Sequence, residues 1–132
     1  MASAVEVVEG SLDAYNARDL PTFLSFFHPD IRIFEIGALC PSSQGLAQVT
    51  ERYRVLFDSS PSLHCSILHR AIFPSKVVDH EHITGRMGCV DPVELVAIYY
   101  VEGGKITRVD FVRWMSLTSF FSTEWNFFKI NY

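Results

Sequence analysis

The hydrophobic period of this chain changes once, near residue 60, and that change constrains the fold more than any other feature of the 132 residues. Before it, apolar residues recur at helical steps. Val5, Val8, Leu12 and Tyr15 form one stripe, with Glu6, Glu9 and Asp13 off it, which predicts an amphipathic helix ending near Asn16–Arg18. Asp19 caps a second, short helix with Pro21 in its first turn and Phe23, Leu24 and Phe27 on its buried side. His28-Pro29-Asp30 breaks that helix, and the β-branched run from Ile31 to Ile36 reads as a strand. After a loop from Gly37 to Gly45, a third helix is expected from about Leu46 to Asp58. Leu46, Val49, Tyr53 and Leu56 share its face, and Ser59-Ser60-Pro61 stops it.

Beyond that point the pattern is extended. Leu63–Phe73, Val77–Arg86, Val93–Glu102 and Lys105–Trp114 are expected strands, the last two joined at Gly103-Gly104, a tight-hairpin signal. The order is therefore helix, helix, strand, helix, then four strands in succession. Such an order indicates an α+β fold in which three N-terminal helices pack on one face of a mostly antiparallel sheet. The length suits one domain that buries about two-thirds of its unfolded surface. We place that domain at residues 1–114, followed by an aromatic tail at 115–132.

Composition removes several classes of function. Apolar residues make up 48% and charged residues 20%, which argues against disorder. No apolar run reaches the ~18–20 residues of a membrane span, and the N-terminus lacks the basic segment of a signal peptide. A net charge of −4 without a basic stripe speaks against nucleic acid. Cys40, Cys65 and Cys89 are odd in number and lack Cys-x-x-Cys spacing, so no disulfide framework or zinc site is expected and a reducing, cytoplasmic setting fits. No dinucleotide, phosphate-loop or nucleophile-elbow motif occurs, and no cofactor is expected.

Four stretches together resemble a known superfamily: Leu12-Asp13-Ala14-Tyr15-Asn16-Ala17-Arg18-Asp19-Leu20, Pro29-Asp30-Ile31-Arg32-Ile33-Phe34-Glu35, Val77 to Gly85, and Val96 to Ile106. Residues 5 to about 113 resemble nuclear-transport-factor-2-like proteins, in particular the SnoaL-like or steroid isomerase-like ones. The resemblance implies helices closing over a curved sheet to leave a cone-shaped cavity. It says little about the reaction, because this fold carries isomerases, cyclases, dehydratases, hydrolases and non-enzymes.

Glu35 is the leading candidate for chemistry. Strand alternation sets it with Ile31 and Ile33, opposite Arg32, on the apolar face. A desolvated carboxylate there would have a raised pKa and serve as general base. The resemblance adds that Glu35 stands where ketosteroid isomerases carry their proton-shuttling aspartate. It also places Ser11 at their oxyanion tyrosine and Ala97 near their protonated aspartate, so Tyr15 or Tyr99 is the available substitute. Arg113 is the residue that could pair with Glu35 and reverse its shift. Asp110 is a second candidate base, since SnoaL-type cyclases use an aspartate late in the chain. The remaining expected substrate-binding set is Ile33, Tyr53, His64, Tyr99, Phe111 and Arg113. His64 or His69 is the acid–base group of a dehydratase-like reading, with their facing left open. His80 and His82 share a strand face, but Asp79 and Glu81 point to the other, so no metal is expected.

Two readings follow. One is a proton-transfer enzyme acting without cofactor on a small hydrophobic ligand. The other is a non-catalytic binding or dimerisation module. A homodimer through the outer sheet face is expected from the apolar C-terminal half and the family's habit. Phe120, Phe121, Trp125, Phe127, Phe128 and Tyr132 make the tail too apolar to leave in water.

Overall fold

Ser3 starts the first helix by a reciprocal cap: its side chain accepts from the Glu6 amide while the Glu6 carboxylate reaches back. This computed structural model describes residues 2–114, so the expected packing of the tail at 115–132 lies outside the described residues. Helix α1 (Ala4–Ala17) ends at Arg18, whose φ of 52° turns the chain out of the helix. Asp19 caps α2 (Leu20–Leu24) by accepting from the Thr22 amide.

The second helix is shorter than the sequence suggests. Phe27 is not on it but opens strand β1 (Phe27–Glu35), pairing with Ile106. His28-Pro29-Asp30 does not break a helix; it sits within a register shift between Phe27 and Arg32. A proline is tolerated there because no ladder bond is asked of it. A two-residue strand β2 (Ser43–Gln44), not foreseen, pairs with β1 ahead of α3 (Leu46–Ser59).

The last four strands follow the sequence pattern closely: β3 (His64–Ile72), β4 (Lys76–Thr84), β5 (Val93–Glu102) and β6 (Lys105–Arg113). With β1 and β2 they form one open six-stranded sheet in the order β2-β1-β6-β5-β4-β3. Only the β1–β6 pair is parallel. The core lies between one face of this sheet and the three helices, and includes Val8, Val49, Ile31, Ile33, Val77, Ile106 and Val109. Asn16 docks α1 onto edge strand β3, donating to the Cys65 carbonyl at 3.0 Å and accepting from its amide at 2.8 Å. Arg18 adds a bond to the Leu63 carbonyl. Among the described residues, no helix is long and apolar enough to cross a membrane.

Candidate active site

Three cross-strand rows form the inner floor of the sheet. Val77, Tyr99, Val109 and Ile33 make the first; Asp79, Ala97, Phe111 and Glu35 the second; Glu81, Leu95 and Arg113 the third. Above these rows, Val8, Leu12 and Tyr15 of α1, Phe23 of α2 and Tyr53 and Leu56 of α3 line a cavity of about 400 Å³. That size suits a small ligand. Exposed Val55 and Met87 line the cavity as well. Of the α1 stripe read from the sequence, Val8, Leu12 and Tyr15 line the cavity and Val5 packs partly buried against the core, while Ala4, Val7 and Ala14 add to the helix's buried side.

Two carboxylates lie in this apolar space, Asp79 at 1% exposure and Glu81 at 5%. Asp79 is clasped by Arg70, whose Nε and second terminal nitrogen donate at 2.7 and 3.0 Å. Arg70 in turn reaches Glu9 on α1 at 3.0 Å. Glu81 accepts a 2.6 Å hydrogen bond from the Tyr99 hydroxyl. Burial pushes the Glu81 carboxyl up to about 7; the Tyr99 bond and the Arg113 and Arg70 charges oppose this, and the Asp79 charge adds to it. Burial, then the Glu81 charge, holds Tyr99 well above its ordinary range, so it remains a donor. Burial also raises the Cys65 thiol far out of the reactive range.

Glu35 has the strand phase expected of it, but it does not line the cavity. Arg113 Nε donates to both of its carboxylate oxygens at 3.0 Å, and the pair is partly exposed. The reason is the second row, which ends at Glu35 one strand beyond Phe111, with Arg113 two residues along β6 to meet it. Asp110 is on the opposite sheet face, buried, accepting from the Tyr100 hydroxyl at 3.0 Å and from Arg108 Nε at 2.8 Å. Ile33 is fully buried core and not cavity wall. His64 is exposed, because Cys65 takes the inward position. His69 does not line the cavity either; it stacks on His80 with ring centroids 5.8 Å apart. Tyr15, Tyr53, Tyr99, Phe111 and Arg113 do line the cavity.

The sequence reading sets Asp79 and Glu81 on the β4 face opposite His80 and His82 and assigns them no role. Their signal was present: Val77-x-Asp79-x-Glu81-x-Ile83 alternates in one phase, so two carboxylates share a face with two β-branched residues. Arg70 left no such signal. A register shift between Ile67 and His69 inserts one residue into β3, which reverses the alternation and turns Arg70 inward opposite Asp79. Among the described residues, no cluster of three or more His, Cys, Asp or Glu side chains is placed to hold a metal ion.

Comparison with known proteins bears on the fold. No curated protein sequence matches the chain. An uncharacterized cystatin fold protein from Novosphingobium aromaticivorans is 27% identical, with a TM-score of 0.78 over 86% of this chain and 100% of that one. A putative polyketide cyclase from Sinorhizobium meliloti is 21% identical, TM-score 0.68, over 80% and 93%. A putative ketosteroid isomerase from Kribbella flavida is 14% identical, TM-score 0.71, over 84% and 77%. The last two likenesses speak for fold alone. The family model of the SnoaL-like domain matches residues 8–109, most of the described chain, and the protein therefore belongs to the SnoaL-like domain family.

Proposed function

We propose that this protein holds a small hydrophobic molecule in the cavity and moves a proton on it using side chains alone, with Glu81 as the proton-handling group. One observation carries the reading: a buried cavity carboxyl, pushed up to about 7 and bonded at 2.6 Å to a tyrosine. A carboxyl poised near neutrality is both donor and acceptor across its population, which is what an isomerase-, cyclase- or dehydratase-type step asks. Glu81 takes a proton from a carbon acid and returns it at a second position. Tyr99 stabilises the ionised carboxylate through its hydroxyl. Arg113, two strands away in the same row, contributes positive potential where an enolate oxygen would form. Glu35, already clasped by Arg113, is not given the role of base. Asp79 holds Arg70 and the α1 contact in place.

The test is α-proton exchange in D2O, followed by NMR over a panel of cyclic ketones and linear β-diketones. Glu81→Gln should slow exchange by roughly 100-fold or more with an unchanged circular-dichroism spectrum. Glu35→Gln should stay within about threefold of wild type, a change of under 1 kcal/mol in barrier. The opposite ranking would return the base to Glu35. A wild type that binds panel members and exchanges none of them would leave a binding module.

A further inference from the structure

Arg52, Arg86 and Arg113 line the cavity. Arg113 meets the Glu35 carboxylate, and Arg86 donates to the Cys89 sulfur. Arg52 lines the cavity and makes no ion pair among the described residues. Its hydrogen bonds go to two neutral groups, the hydroxyls of Ser42 and Ser43, both at 3.2 Å and both from one terminal nitrogen. A guanidinium has five N–H donors in a planar fork, so this leaves most of its capacity unspent. The group lies over the rings of Tyr53 and Phe111, 5.8 and 5.7 Å from their centroids, and both rings are cavity wall. Arg113 lies over the same Phe111 ring at 4.6 Å. Phe111 is thus an apolar plate flanked by two cations, one of them meeting no acid among the described residues.

We propose that the molecule taken by this cavity is an apolar monocarboxylic acid, its carboxylate on Arg52 beside Phe111 and its hydrocarbon body between α1 and the sheet. The assignment rests on the pocket reading above, but not on turnover. The planar fork of Arg52 matches a carboxylate, and such charge-assisted pairs are strong where water is partly excluded. A dianionic head such as a phosphate fits less well, because Asp79 and Glu81 line the same cavity and would repel a second negative charge. The apolar body accounts for the walls, which are mostly hydrocarbon and aromatic.

The experiment is isothermal titration calorimetry with 2-naphthoate and 2-naphthamide, which share a shape and differ in charge. Wild type should bind the carboxylate roughly tenfold or more tighter than the amide. Arg52→Gln should bring the two affinities within about threefold of each other, the carboxylate losing far more than the amide. Arg52→Lys, which keeps the charge and loses the fork, should retain part of the preference and serves if the glutamine variant does not fold. Equal affinities in wild type, or a preference that survives Arg52→Gln, would overturn the carboxylate assignment and leave the pocket standing. Failure of both compounds to bind would remove the pocket reading, and the assignment with it.

Discussion

The Asp79 and Glu81 corners of the cavity are two residues apart on one strand, equally out of water, and yet differently equipped. Asp79 receives a bidentate guanidinium from the neighbouring strand. Glu81 receives the Tyr99 phenol and interacts with the Cys65 thiol, both neutral groups. A charge met by an opposite charge can stay ionised in a dry site, whereas one met by a neutral donor carries most of its desolvation cost as a raised pKa. The first arrangement ties two strands together, and the second is the one to which we assign the proposed proton-transfer role. Glu35, like Asp79, is met by an arginine, Arg113. Being a carboxylate on the inner face is therefore not enough to mark a base; the partner decides.

The hardest way to break the comparison is to give Asp79 the isolation of Glu81. Arg70→Met should leave a buried, uncompensated carboxylate and cost roughly 3–5 kcal/mol in urea unfolding at pH 7. A loss under about 1 kcal/mol would mean that the Asp79 corner is not held by its ion pair. The next effect is the pH dependence of stability. The Glu81 carboxyl is raised from 4.5 to about 7 on folding, so between those values the native state binds the extra proton. Stability from this group is present in full below pH 4.5 and is lost as pH rises through 7, by about 3 kcal/mol in total. Glu81→Gln, which stays neutral throughout, should gain on wild type by that amount between pH 4.5 and 8. Parallel stability curves for the two proteins would contradict the raised carboxyl.

The smallest effect sharpens the role of the phenol. Tyr99→Phe removes a bond that favours ionised Glu81, so the Glu81 carboxyl should titrate higher still, by on the order of one to two units in a carbon-13 carboxyl NMR titration. A downward move would show that Tyr99 instead accepts from the protonated acid.

Much of this architecture could be read directly. The single change of period separates helices from strands, Gly103-Gly104 marks the β5–β6 turn, and Ser3 and Asp19 announce their helices through local hydrogen bonds. These signals need only neighbours in sequence. Tyr15, Tyr53, Tyr99, Phe111 and Arg113 were also legible as candidates, because helix and strand periodicity says which side of an element a residue takes. Periodicity could also set Asp79 and Glu81 on one face of β4, but not which face that was.

Tertiary structure decided what periodicity leaves open. Glu35 has the expected phase, but whether it meets solvent, substrate or Arg113 depends on a parallel β1–β6 pairing that brings residues 78 apart in sequence together. His64 or His69 could not be chosen from the sequence, since a one-residue shift in β3 reverses which side chains face inward and no residue type announces it. The sequence alone determined the layers, the strand count of the C-terminal half and the chemical inventory of each face. Which carboxylate keeps a proton was decided by distances across three strands, because a pKa is set by what lies within a few ångströms in space, and local patterns carry no record of that.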